Sequence, residues 1–212
     1  MTDVLDELAA TRRELSKGTV PAGEGHAVAL RRRYDAPVDQ VWDAITSAER
    51  LSRWFLPVGG DLRLGGAYEL EGSAAGEVLA CEPPRLLRVS WRYGEDAEPG
   101  TSEVEVRIAP GPAGETEFEL VHTAIVDEEF FATYGPGATG VGWDLSVMGL
   151  ALHLAGGGIG DPTEFESSPE AAEFSRRSAA AWGEAHLAAG GDPAAVAAAV
   201  EATTKFYVPD PA

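Results

Sequence analysis

Between residues 67 and 122 apolar and polar positions alternate in four runs. In "GGAYELEG" Tyr68 and Leu70 alternate with Glu69 and Glu71, and in "LLRVSWRY" Leu87, Val89, Trp91 and Tyr93 alternate with Arg88, Ser90 and Arg92. "SEVEVRI" sets Val104, Val106 and Ile108 against Glu103, Glu105 and Arg107, and "TEFELVH" sets Phe118, Leu120 and His122 against Glu117 and Glu119. A period of two with one polar face predicts antiparallel strands, packed on one side and wet on the other. The connectors "EPPR", "GEDAEPG" and "APGPAGE" carry turn chemistry. A further strand is predicted at "HAVALRRRY", with Val28, Leu30, Arg32 and Tyr34 on one face.

Elsewhere the period is helical. Residues 3 to 16 put Val4, Leu8 and Leu15 on one face and predict a short N-terminal helix, followed by a link from Lys17 to Gly25. Pro37 suits a first helical turn, and Val38, Val41, Trp42 and Ile45 follow it as one buried stripe. Thr46 and Glu49 have capping-box spacing for a second short helix carrying Leu51, Trp54 and Phe55. "VGWDLSVMGLALHLAG" predicts a long helix whose stripe, Trp143, Val147, Leu150 and Leu154, is widened by Leu145, Met148 and Leu152. Gly156, Gly157 and Gly158 end it. "GDPTEFESSPE" reads as a linker, and two more helices follow, about Glu170 to Ala189 and Pro193 to Tyr207. The order of elements predicts an α+β chain with a long helix lying across a curved antiparallel sheet. The space between them is the natural place for a ligand.

Composition narrows the partners. Hydrophobic residues make up 44% of the chain, so a sizeable core is available. Acidic residues outnumber basic ones 35 to 16, a formal charge of -19, which argues against nucleic acid and against anionic lipid. The basic clusters, Arg31 to Arg33, Arg12-Arg13 and Arg176-Arg177, read as solvated faces. The single cysteine, Cys81, cannot form an internal disulfide and fits a reducing, cytoplasmic setting. The first residues lack the pattern of a secretory signal, and the stretch from Val141 to Ile159 holds Asp144, His153 and several glycines, unlike a membrane span.

Few residues offer chemistry. His122 falls on the inward face of its strand, where it can act as acid or base on a ligand or sit as a hydrogen-bonded core histidine. Arg32 shares an inward face and needs a partner, either a protein carboxylate or an anionic ligand group. Trp54, Phe55, Tyr68, Trp91 and Trp143 are candidate cavity walls, large apolar bodies with polar handles on most of them. Trp42 reads as core. "GPGATG", Gly135 to Gly140, matches a dinucleotide-binding fingerprint, with Asp161 near the spacing of the ribose-binding acid. No strand-helix-strand unit surrounds it, so close packing is the simpler reading of its glycines. Asp144 is read as a favourable charge at the start of the long helix. The four histidines and Cys81 have no metal-ligand spacing, and no nucleophile elbow or phosphate loop is present, so no cofactor is expected.

The segments "YDAPVDQVWDAITSAERLSRWFLP", "GDLRLGGAYELEG", "GEVLACEPPRLLRVSW" and "GVGWDLSVMGLALHL", in this order, resemble the bacterial proteins related to the activator of Hsp90 ATPase. These belong to the START-like, or SRPBCC, superfamily with the helix-grip fold. The resemblance runs over about residues 26 to 155. It implies a curved antiparallel sheet wrapped around a long C-terminal helix, with an apolar cavity between them. The superfamily includes lipid carriers, hormone receptors, polyketide cyclases and co-chaperone domains, so the fold leaves the activity open. The expected division is 1–25 as helix and link, 26–160 as the START-like domain and 161–212 as a helical extension. The expected function is binding of a small hydrophobic or aromatic molecule by Trp54, Phe55, Tyr68, Trp91, His122, Trp143, Val147 and Arg32. The alternatives are a cyclase- or hydrolase-type enzyme using His122, and a chaperone-like or regulatory interaction module. The terminal helices, with their apolar stripes, are expected either to cover the core domain or to form a homodimer.

Overall fold

The alternating runs pair into one antiparallel sheet. The computed structural model describes residues 4–94 and 98–209, so the expected turn at 94–100 and the start of the expected first helix lie partly outside the described residues. In chain order the strands are β1 (Arg12–Val20), β2 (Gly23–Tyr34), β3 (Val58–Gly60), β4 (Ala67–Leu70), β5 (Ala74–Glu82), β6 (Leu86–Ser90), β7 (Arg92–Tyr93), β8 (Ser102–Pro110) and β9 (Thr116–Ala124). Across the sheet they run β1-β2-β9-β8-β6-β5-β4-β3, with β7 beside β5. The register sets Leu30 opposite Leu120, Leu120 opposite Val106, and Val106 opposite Leu87. A slip of one residue in any strand would turn its part of this apolar rung to water. The register shifts between Val78 and Ala80, an irregularity of the kind that bends a strand and curves a sheet.

The helices are α1 (Val4–Ala9), α2 (Val38–Thr46), α3 (Ala48–Trp54), α4 (Glu128–Tyr134), α5 (Gly137–Leu154), α6 (Pro162–Glu166), α7 (Pro169–Ala188) and α8 (Pro193–Tyr207). The long helix α5 lies between two layers. Trp143, Val147 and Leu150 join the main core with Leu30, Val104 and Leu120 of the sheet. Met148 and Leu152 point the other way, into a second cluster with Val4 and Leu8 of α1 and Phe174 of α7. Covering on both sides explains the wide apolar stripe, since a helix buried all round is apolar all round. The Tyr34 hydroxyl donates to the Val147 carbonyl at 3.0 Å and ties β2 to α5. Phe174 and Trp182 of α7 and Val196 of α8 are buried within this chain, so the terminal helices cover the core domain.

Local expectations change in five places. The helix expected over residues 3 to 16 stops at Ala9, and Leu15 belongs to β1. The expected link from Lys17 to Gly25 is the end of β1 and the start of β2, whose pairing runs from Arg12 opposite Arg31 to Val20 opposite Gly23. Leu15 keeps helical spacing from Leu8, but a whole strand of pairing with β2 outweighs local propensity. The cap of α3 is Ser47, whose hydroxyl accepts from the Arg50 N–H, while Thr46 donates to the Trp42 carbonyl instead. Tyr93 is exposed because β6 ends at Ser90 and the alternation breaks at Trp91. The expected linker contains α6, capped by Asp161, whose carboxylate accepts from the Thr163 and Glu164 N–H groups.

Candidate functional site

A cavity of about 100 Å³ lies between α5 and the sheet, bordered by α3. Trp54 and Phe55 come from α3 and its end, Trp143, Val147 and Leu150 from α5, and Trp91 from the break between β6 and β7. Val104, Val106, Phe118 and Leu120 of β8 and β9 form the floor. No charged side chain lines it, and Ser146 supplies its one hydroxyl. The Ser146 hydroxyl already donates to the Gly142 carbonyl at 2.8 Å. A dry apolar cavity of roughly 150 Å³ is known to hold benzene, and this space is about two-thirds of that.

The aromatic wall is ordered by its neighbours. Trp91 and Trp143 lie 5.1 Å apart between ring centroids, and Phe55 lies 6.4 Å from Trp143. Trp54 donates its Nε1–H to the Ala44 carbonyl at 2.9 Å, which fixes its ring against α2. Trp143 donates its Nε1–H to His122 Nδ1 at 2.9 Å. An indole N–H can only donate, so Nδ1 of His122 is bare and the proton sits on Nε2. That nitrogen lies 2.8 Å from the Ser102 hydroxyl, which therefore accepts. Burial pushes the His122 pKa down to about 4, and the imidazole is neutral at ordinary pH.

Of the eight residues expected around the cavity, Trp54, Phe55, Trp91, Trp143 and Val147 line it. Tyr68, His122 and Arg32 lie outside its wall. His122 faces inward as expected but stands against Trp143, with both ring nitrogens occupied. The Tyr68 hydroxyl donates to the Ser90 carbonyl at 2.8 Å, and burial raises its pKa. Arg32 stands opposite Phe118 on β2, where it pairs with Glu7 of α1 and covers the Tyr34 ring at 4.5 Å. Val104, Val106, Phe118 and Leu120 were legible as inward-facing, but alternation does not say where along a strand a void falls. Ser102, the partner of His122, had no signal in the sequence.

Asp144 has a different place from the one expected. Because α5 begins at Gly137, Asp144 is in mid-helix and buried, far from any benefit of the helix N-terminus. Its carboxylate accepts from Arg13 Nε at 2.8 Å, from Trp182 Nε1 at 3.0 Å and from the Ser178 hydroxyl. Arg13 also donates to the carbonyls of Thr11 and Leu8. Burial pushes the Asp144 carboxyl up, and Arg13, Ser178 and Trp182 pull it back. This network joins β1, α5 and α7. The glycines of "GPGATG" serve the same junction: a Cβ on Gly140 would lie 2.2 Å from the Trp182 ring, and one on Gly137 would lie 2.8 Å from Thr203 Oγ1. Their close packing accounts for the motif without a dinucleotide.

A second and larger concavity, about 1140 Å³, opens at the end of the sheet where Arg12, Arg31, Arg32, Arg33, Arg85 and Arg107 gather. Glutamates hold most of these arginines: Arg31 pairs with Glu14 and Glu119, Arg33 with Glu117, Arg85 with Glu82, and Arg107 with Glu105. Size favours this groove, but its charges are largely satisfied by each other, and the aromatic cavity is the better candidate. Among the described residues no cluster of His, Cys, Asp or Glu could hold a metal ion, and no helix is long and apolar enough to cross a membrane.

Comparison with known proteins agrees with this architecture. Residues 35–155 match the family described as Activator of Hsp90 ATPase homolog 1-like protein. The crystal structure of CalU16 from Micromonospora echinospora is 39% identical, with a TM-score of 0.66, covering 83% of this chain and 98% of that one. Its solution structure is 40% identical, with a TM-score of 0.69, covering 86% of this chain and 97% of that one. MLL2253 from Mesorhizobium loti, 21% identical over 61% of this chain and 96% of its own with a TM-score of 0.52, shares the fold. No curated protein matches the chain significantly. With more than half of its residues inside the family match and CalU16 covered almost end to end, the chain belongs to the Activator of Hsp90 ATPase homolog 1-like family, on the START-like helix-grip fold.

Proposed function

We propose that this protein binds a small, neutral, ring-containing molecule in the cavity between α5 and the sheet and does not transform it. The observation that carries this reading is the cavity itself: an uncharged space walled by Trp54, Phe55, Trp91, Trp143 and Phe118. A charged ligand would lose its hydration there with no counter-charge in the wall. Catalysis by His122 is disfavoured because its bare nitrogen is taken by Trp143 and its protonated one by Ser102. Its role in this reading is to hold the Trp143 ring upright in the wall.

The binding unit is residues 26–160; α1 and the segment 161–212 cover the far side of α5, while β1 extends the sheet. The Asp144 network pins that side, so room for a ligand larger than one ring comes from α3. No residue of α3 is fully buried, and Leu51, Trp54 and Phe55 are only half-buried. Native mass spectrometry of gently purified protein, followed by denaturing extraction, tests the proposal. The expected result is a neutral aromatic compound at stoichiometric ratio, lost in a Val147→Phe variant that drives a ring into the cavity. The same compound retained by that variant would place its binding elsewhere and overturn the reading.

A further inference from the structure

One wall of the cavity is α3, which lines it with Leu51, Trp54 and the following Phe55. At about 100 Å³ the space is smaller than the roughly 150 Å³ that holds benzene, so a ring enters only if a wall gives way. The far side of α5 is pinned through Asp144, whereas α3 has no fully buried residue. Whatever holds α3 down therefore controls entry. Toward α2 it is tied by Trp54, which donates to the Ala44 carbonyl, and by Arg50, which donates to Asp43 and to the Gln40 carbonyl, each at 3.0 Å. Toward α5 its backbone lies close over Gly149, where a Cβ would come 3.1 Å from the Trp54 carbonyl oxygen. Among the described residues one side-chain pair bonds α3 to α5: Arg50 Nε and Nη2 reach His153 Nε2 at 3.2 and 3.1 Å.

We infer that the Arg50–His153 pair is a pH-sensitive latch on the cavity, closed while His153 is neutral and released when it takes a proton. This rests on the cavity-binding reading and adds its regulation. A guanidinium only donates and keeps its charge, so His153 must present a bare Nε2. A proton there removes the acceptor and sets two cations face to face. Burial and the charges of Arg50 and Arg53 hold the His153 pKa below its ordinary 6.5. His153 stands in the last turn of α5, where the helix end by itself would favour the protonated ring, so the resistance comes from its surroundings. The cations that act on it are these two arginines of α3. Asp43 of α2 is engaged with Arg50, and Glu49 of α3 with Arg53. The folded state thus prefers the neutral ring, and the latch is whole above pH 6.5 and is lost as pH falls below it.

Hydrogen exchange of the amides of residues 48–55 reads the latch without any ligand. Protection is compared at pH 7.5 and pH 5.0 in wild type and in His153→Gln, whose side-chain oxygen accepts from Arg50 at either pH. The other histidines titrate alike in both proteins and cancel. Wild type is expected to lose about three- to tenfold more protection than the variant, the size of a charge-assisted bond that is only half-buried. Benzene, which does not titrate, reads the cavity through the indole signals of Trp54, Trp91 and Trp143 in nitrogen-labelled protein. Its apparent affinity should rise by a similar factor at pH 5.0 in wild type alone, because the open state is then more populated. Equal losses of protection in the two proteins overturn the latch, and benzene binding at pH 7.5 then leaves the cavity reading standing. If α3 loosens in wild type but benzene binds equally at both pH values, the pair is no gate and the inference falls. If benzene disturbs no cavity tryptophan at either pH up to its solubility limit, the cavity reading falls and this inference falls with it.

Discussion

On one face of α5, Asp144 accepts hydrogen bonds from Arg13, Ser178 and Trp182; on the other, Trp143, Val147 and Leu150 border a space of about 100 Å³. The first face is polar, buried and closely fitted, down to Gly140, which admits the Trp182 ring. The second is apolar and underfilled. One helix thus separates a junction that holds the terminal segments from a small apolar chamber. Because the polar junction fixes the position of α5, the chamber can stay partly empty without the helix sliding in to fill it.

The comparison can be broken most forcefully at Asp144. Asp144→Ala leaves the Arg13 guanidinium buried without its partner and should cost about 3–5 kcal/mol in urea unfolding. Adding Arg13→Met should recover part of that loss, since the uncompensated charge goes too. A loss below about 1 kcal/mol for Asp144→Ala would mean that the junction does not hold the fold, since that is the size of an ordinary surface ion pair.

Next comes pH, which acts on the chamber wall. The folded-state pKa of His122 is held at about 4 by burial, against an ordinary 6.5. Between those values the unfolded chain binds a proton that the folded chain refuses, so stability is present above pH 6.5 and is lost as pH falls toward 4. The contribution is about 3 kcal/mol at the acid end. His26 and His186 are also lowered by burial and add to the wild-type slope in the same direction. The slope of unfolding free energy against pH, compared between wild type and His122→Asn, isolates His122. Equal slopes would show that its imidazole is not held neutral.

A third test adds one carbon to each face. Gly140→Ala would normally favour a helix by about 1 kcal/mol. Here its Cβ lands 2.2 Å from the Trp182 ring, and a net loss of about 1–3 kcal/mol is expected in thermal unfolding. Val106→Ile, whose extra methylene enters the chamber, should change stability by less than about 1 kcal/mol, in the stabilising direction. If the two substitutions cost the same, the chamber is as tightly filled as the junction and the contrast fails.

Much of this architecture was legible in the residues. The period-two runs at Val104–Ile108 and Phe118–His122 are strands with those residues inward, and the wide stripe from Trp143 to Leu154 is the helix they face. The first strand was not legible, because Val4, Leu8 and Leu15 keep helical spacing while the pairing that makes β1 lies in β2. The cavity was legible only in kind. Aromatic residues on inward faces announce a wall, and five of the eight expected residues are in it. Tyr68 and Arg32 share those faces but belong to β4 and β2, neither of which reaches the cavity, and a repeat of two residues carries no information about where across the sheet a void falls.

Local pattern and composition alone therefore determined the class of fold and the strand faces. Those follow from period, charge and side-chain type, which act over a few residues. Tertiary structure decided the rest: that Asp144 meets Arg13 across 131 positions, that His122 is locked by Ser102 and Trp143, and that Trp91 alone of the cavity tryptophans keeps its N–H free. Hydrogen bonds are short and directional, so which donor finds which acceptor is settled only when distant segments close on each other.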